Sequence, residues 1–119
     1  MRILLIGATG TIGNAVASAL SPGHELVRVS HSKGDYRVDL ADPASIRELY
    51  RKVGRVDAVI SAAGVAKFAP FASLTDADYV LSLSNKLMGQ VNLVRFGFEH
   101  LNDGGSFTLT SGIDRKSVV

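Results

Sequence analysis

The chain has 119 residues, 46% of them apolar and 20% charged, which excludes a disordered chain and fits one domain, residues 1–119, with a core of its own. A formal charge of +2 is too small to argue for nucleic acid as a partner. With no Cys, and with His24, His31 and His100 at no ligand spacing, neither disulfides nor a metal site is expected.

Only four apolar residues lie between Arg2 and Gly7, too few for a signal-peptide core or a membrane span, so the expectation is a soluble, cytoplasmic protein without a membrane partner. Those four, Ile3–Ile6, form a continuous β-type run, as in a strand covered on both faces. Residues 7–13 turn, and Ile12, Val16, Ala19 and Leu20 then repeat at helical spacing until Ser21-Pro22-Gly23 stops the helix. Residues 25–30 alternate as a second strand, 31–34 form a polar turn, and 36–40 form a short third strand. Asp42 and Pro43 have the chemistry of an N-cap and a first helical position, and the helix 43–53 puts Ile46, Leu49, Tyr50 and Val53 on one face. Its Arg47, Arg51 and neighbouring Arg55 recur every four residues and read as a solvated face rather than a binding patch. Residues 56–60 make a fourth strand, and the small residues Ser61–Gly64 a turn. Phe68 and Phe71 follow in a loop or short helix and read as core or interface rather than pocket wall. Thr75-Asp76 caps a long helix covering 79–101, Asp103-Gly104-Gly105 turns, and 106–110 form a fifth strand. Strands alternating with helices predict an α/β fold, a doubly wound, Rossmann-like parallel sheet in the order 3-2-1-4-5.

The stretch Gly7-Ala8-Thr9-Gly10-Thr11-Ile12-Gly13 sits between the first strand and the first helix. There Gly7 permits a sharp turn, Gly10 lets backbone approach a pyrophosphate, and Gly13 lets the helix pack closely on the strand. The helix N-terminus offers unpaired N–H groups to phosphates. Gly7, Thr9, Gly10, Thr11, Ile12 and Gly13 are therefore candidate dinucleotide contacts.

Taken with residues 38–42 (VDLAD), 59–64 (VISAAG), 85–94 (NKLMGQVNLV) and 107–112 (FTLTSG), this loop resembles the N-terminal part of the short-chain dehydrogenase/reductase family, over nearly all of residues 1–112. The resemblance implies a NAD(P)-dependent oxidoreductase moving hydride to or from a carbonyl or alcohol of some small molecule. It implies an adenine near Asp39 and Leu40, a cofactor-lining turn at Ala62, Ala63 and Gly64, and a substrate-orienting Ser111. The loop form, with Gly10 rather than a glycine at Thr11, resembles the atypical and extended branches. Ala62 stands where the family usually has Asn. Counting back from Gly89, the family's catalytic Asn falls on Lys86, with Asn85 beside it, so both are candidates.

No acid follows the second strand until Asp35, whereas His31, Ser32 and Lys33 offer donors and a cation. That suits a ribose 2′-phosphate, so NADP(H) is expected over NAD(H). The family's general acid/base is a Tyr with a Lys four residues later. Here Tyr36, Tyr50 and Tyr79 are followed at that spacing by Leu40, Gly54 and Leu83. The family pair comes after the serine, and eight residues follow Ser111. The expectation is a domain C-terminally truncated relative to the family. Three readings stay open: a reductase by lineage, a dinucleotide-binding or regulatory module without turnover, and an inactive fragment. In the long helix, Leu87, Val91, Val94, Phe98 and Leu101 form a stripe expected to cover the sheet, with Leu93 and Phe96 in a second stripe joined by Gly89 and His100. The resemblance places a further helix and a second subunit on this helix, so a homodimer or higher assembly through 83–101 is expected.

Overall fold

The structure, a computed structural model, describes residues 1–63 and 69–111. In chain order it contains β1 (Arg2–Ile6), α1 (Thr11–Leu20), β2 (Glu25–Ser30), β3 (Tyr36–Arg37), α2 (Pro43–Val53), β4 (Val56–Ser61), α3 (Asp76–Leu81), α4 (Met88–Gly97) and β5 (Leu101–Thr108). The strands form one parallel sheet in the order β3-β2-β1-β4-β5, the order expected from the alternation of strands and helices. β1 is central: Leu4 stands opposite Val27 on one side and Val59 on the other. Its residues alternate between two cores. Leu4 and Ile6 pack with Ile46, Leu49 and Tyr50 of α2 and Leu93 of α4, while Leu5 packs with Ala17 of α1. A strand buried on both faces must be apolar throughout, which is why residues 3–6 show no polar alternation.

α2 follows its sequence signals closely. The Asp42 carboxylate accepts from the Ala44 N–H at 3.0 Å, Pro43 opens the helix, and Gly54 closes it with φ +77°. Ile46, Leu49, Tyr50 and Val53 are all buried. At the lower end of the sheet, Arg2 donates to the carbonyls of Val53 and Arg55, and its backbone N–H meets the Asp57 carboxylate. That bond, with a second from the Asn102 amide, holds the Asp57 carboxyl below its ordinary range.

Three elements depart from expectation. β3 is two residues long rather than five, because β2 ends at Ser30 and leaves only Val38 one more carbonyl to donate to. β5 begins at Leu101, and Asp103-Gly104-Gly105 lie inside it as a register shift between Val56 and Ala58 rather than as a preceding turn. The long helix is interrupted. Thr75 and Asp78 form a reciprocal capping box at the start of α3, a π-helical turn spans Ser82–Leu87, and α4 passes into a 3₁₀ turn at Phe98–His100.

The largest correction concerns which face of α4 meets the sheet. The expected stripe is turned outward: Leu87 is 53% exposed and Phe98 74% exposed. Gly89, Asn92, Leu93 and Gly97 are buried instead. Both faces are apolar enough to bury, so glycines decide. A Cβ at Gly89 would come within 2.9 Å of the Leu40 side chain, and one at Gly97 would overlap the Tyr50 hydroxyl. Only the glycine face lets α4 come close to α2, where Tyr50 Oη donates to the Leu93 carbonyl at 2.6 Å. Phe71 is also outside the core, at 83% exposed; Phe68 lies outside the described residues.

Gly97→Ala should therefore lower unfolding free energy by about 1–3 kcal/mol through overpacking against Tyr50. Tyr50→Phe should cost about 1 kcal/mol by leaving the buried Leu93 carbonyl without its donor. Urea unfolding of both variants checks these values.

Candidate functional site

The site lies at the C-terminal ends of β1, β2 and β4, where a doubly wound sheet opens a crevice beside its central strand. β1 ends at Ile6 and the chain turns through Gly7, whose φ is +84°. A Cβ at Gly7 would come within 2.8 Å of the Ala62 backbone and the Ala63 side chain, so the end of β4 rests directly on this turn. A Cβ at Gly13 would overlap the Gly7 carbonyl. Gly10 differs from both: its φ is −79°, and the nearest atom to a Cβ there is the Gly7 carbonyl at 3.6 Å. Two glycines are required by packing, and the third leaves open space at the mouth of the turn.

Gly10 is the N-cap of α1 and supplies no side chain to its N–H groups, and no acid stands in the first turn. Asn14 donates its amide to the Thr9 carbonyl at 3.1 Å and so braces the loop. The helix N-terminus is thus free of an internal anion.

A cleft of about 260 Å³ runs from this loop along the strand ends. Of the expected cofactor residues, Gly7, Thr9, Gly10, His31, Leu40, Ala62 and Ala63 line it, together with Asn85 from the π turn. Ile6, Ser30 and Val38 also line it and were not singled out in the sequence. Val38 had a readable signal: in the strand expected over 36–40 it shares a face with Leu40 two residues on. Thr11, Ile12, Gly13, Ser32, Lys33 and Asp39 do not line the cleft. Thr11, Ile12, Ser32 and Lys33 are exposed. The Asp39 carboxylate accepts from the Ala41 N–H at 3.0 Å and so shapes the turn after β3. Gly64 lies outside the described residues.

The β2–β3 turn is fixed from within. Ser30 Oγ accepts from the Lys33 N–H at 2.7 Å and donates to the Lys33 carbonyl. The Asp35 carboxylate accepts from the Arg28 N–H at 2.9 Å. The acid nearest the end of β2 is therefore committed to backbone, while the side chains of His31, Ser32 and Lys33 face solvent at the rim.

The candidate catalytic residues lie on the π turn before α4 and just beyond β5. Lys86 Nζ donates to the Ala63 carbonyl at 3.3 Å, next to the cleft wall that Asn85 lines. Thr110 donates its hydroxyl to the Ser61 carbonyl and its N–H to Gln90 Oε1 at 3.0 Å. These bonds tie the end of β5 to β4 and α4, and Ser111 follows immediately, exposed. Ser61 Oγ is fully buried with no hydrogen-bond partner among the described residues. Tyr50 is far from such a role: it is buried and bonded within the α2–α4 contact, and burial pushes its phenol well above the ordinary tyrosine range. No helix among the described residues is long and apolar enough to cross a membrane.

Comparison with known proteins bears on this geometry. The Listeria innocua protein lin1944 is 48% identical with a TM-score of 0.92, over 95% of this chain and 56% of that one. A small-chain dehydrogenase solved in complex with NADPH is 27% identical with a TM-score of 0.84, over 94% of this chain and 51% of that one. Among curated sequences, a short chain dehydrogenase of Claviceps purpurea is 28% identical over 88% of this chain and 41% of its own length. A hydroxynaphthalene reductase of Aspergillus fumigatus is 32% identical over 57% of this chain and 25% of its own. The chain thus spans only part of each relative, about half of the solved ones. Residues 3–105 match the NAD dependent epimerase/dehydratase family. A glycine turn, a parallel sheet in the order 3-2-1-4-5 and these relatives agree: the chain belongs to that family, as an N-terminal portion of the short-chain dehydrogenase/reductase type.

Proposed function

We propose that the chain holds NADP(H) for an oxidoreductase that moves hydride between the nicotinamide and a carbonyl or alcohol. The observation that carries this reading is Gly10. Packing demands glycine at Gly7 and Gly13, but at Gly10 a side chain would fill only the open mouth of the loop. A pyrophosphate fits that space, against N–H groups that no side chain caps. Leu40, Val38 and Ala62 give the neighbouring cleft apolar walls for an adenine. NADP(H) is preferred because the Asp35 carboxylate is occupied by the Arg28 N–H, while His31, Ser32 and Lys33 stand at the rim. The relative solved with NADPH supports the same preference.

When bound, the cofactor supplies or accepts the hydride. Ser111, three residues beyond β5, orients a substrate oxygen. Lys86 fixes the Ala63 carbonyl and brings a positive charge to the site's edge, and Asn85 contributes a polar wall. A second reading is cofactor binding without turnover by these residues alone. It is favoured by Tyr50, whose buried, bonded hydroxyl has no path to a substrate, and by the lack of a Lys four residues after any tyrosine. A small molecule is the substrate under the first reading, in a cytoplasmic setting.

Assembly belongs to the same proposal. Val80, Leu83, Leu87 and Val91 form an exposed apolar band along α3, the π turn and α4, fit for a second copy of the chain. Light scattering at micromolar concentration should show a dimer or larger, and Leu87→Glu with Val91→Glu should give monomer. A monomeric parent protein would remove this part of the proposal.

Gly10→Ala should leave unfolding free energy within about 1 kcal/mol, since only an N-cap preference changes, yet weaken cofactor binding about tenfold or more by filling the loop mouth. Gly13→Ala should fail differently, losing stability first. Fluorescence titration should give tighter binding for NADPH than for NADH, and Lys33→Glu should narrow or reverse that order; equal affinities in the parent would sink the NADP(H) preference. Catalytic NADPH oxidation with carbonyl substrates by the purified 119 residues would overturn the second reading, and its absence alongside tight binding would support it.

A further inference from the structure

The row Arg47, Arg51 and Arg55, one solvated face in the sequence, is divided by the fold. Arg51 pairs with Glu48 at its Nε and Nη2, and Arg55 donates to Asn102 Oδ1 and to the Glu99 and Leu101 carbonyls. Arg47 does neither. Its guanidinium lies over the Phe96 ring, 4.3 Å from the centroid, and Arg95 lies over the same ring at 5.0 Å. Arg95 is further held by the Asn92 amide oxygen at 3.0 Å, and Asn92 is buried. Neither guanidinium has a carboxylate partner among the described residues.

Two like charges on one ring stand within about 10 Å, the screening length at 0.1 M salt, so each raises the cost of the other. Cation–π contact offsets part of that cost. The ring and the Asn92 amide hold the two forks in place while leaving most of their N–H donors unused. Between α2 and α4 they flank a cleft of about 530 Å³. Tyr50 and His100 stack in its wall at 5.3 Å and 11°. The carboxylate that lines it, Glu99, sits 3.8 Å from His100 and is largely exposed. The cleft shares no lining residue with the glycine loop.

We propose that this cleft binds a small oxyanion, phosphate- or carboxylate-bearing, gripped by Arg47 and Arg95 together beside the Phe96 and His100 rings. Pre-positioned guanidinium forks match the paired oxygens of such groups. The site is separate from the proposed cofactor site and does not depend on it.

The test is a titration of the purified protein with inorganic pyrophosphate and, separately, with malonate, at constant ionic strength, following the ring resonances of Phe96 and His100. Saturable shifts at millimolar probe are expected. Arg47→Gln and Arg95→Gln should each weaken binding about tenfold, as expected for loss of a charge-assisted hydrogen bond. Arg28→Gln removes an exposed arginine outside the cleft and should change nothing. Arg47→Lys keeps the charge and loses the fork, and should weaken binding as well. Response to pyrophosphate alone assigns the phosphate class; an equal or stronger response to malonate assigns carboxylates. No saturable ring shift up to ~50 mM probe, a range covering the weakest useful affinities, would overturn the proposal. So would shifts that Arg47→Gln and Arg95→Gln leave unchanged. Pyrophosphate held only at the glycine loop would give that second result, and Gly10→Ala would report it without touching the cleft.

Discussion

The structure turns on the close approach of three backbones around Gly7. The turn after β1, the end of β4 and the first turn of α1 meet where no Cβ fits at Gly7 or Gly13. Hydrogen bonds reinforce the junction: Gly7 and Ala8 both donate to the Val29 carbonyl, and Ala62 donates to that of Ile6. Because these contacts are backbone to backbone, they set the position of the α1 N-terminus relative to the sheet with little freedom. The open space at Gly10 follows from that closure, since the loop is held from behind and faces outward. Packing thus demands glycine at two positions of one short motif and leaves the third with room for a side chain.

The other organising contact joins α2 to α4. Tyr50 brings a large ring and one hydroxyl into the core, and the hydroxyl needs a partner there. The Leu93 carbonyl supplies it, and Gly97 makes room for it. This fixes the rotation of α4, and with it the direction of every other residue on that helix. Leu87 and Val91 turn outward, and Arg95 turns toward Arg47. The exposed apolar band and the paired arginines are both consequences of how one tyrosine is satisfied. The π turn preceding α4 adds a residue to one turn, which lets Asn85 line the cleft and Lys86 reach Ala63 while α3 keeps its own capped start.

The two ends of the sheet have different electrostatic character. At the lower end, Arg2, Arg55, Asp57 and Asn102 form a closed set in which the donors meet oxygens. At the upper end, no acid stands in the first turn of α1, and Asp35 and Asp39, on the segment that follows β2, each accept a backbone N–H. Both acids are exposed, and each spends one carboxylate oxygen on nearby backbone.

Much of this was legible in the sequence because it is local. An apolar run must be a strand buried on both faces; Asp42-Pro43 must open a helix; glycines between strand and helix must make a tight turn. Each rests on the covalent and steric properties of a few adjacent residues, and together they determined the fold class, the strand order and most of the cleft lining. The length of β3 depended on where its partner β2 ended. The choice between two apolar faces of α4 depended on Tyr50, more than forty residues earlier in the chain. Asn92 is a polar side chain, and it is buried on the same face as Gly89 and Gly97. Arg47 was indistinguishable from Arg51 and Arg55 until Phe96 stood over it. Sequence by itself determined which segments become strands, helices and turns, because those follow from neighbours along the chain. Only the tertiary structure decided which face packs and which charges are left unpaired, because these are settled by partners distant in sequence competing for the same space.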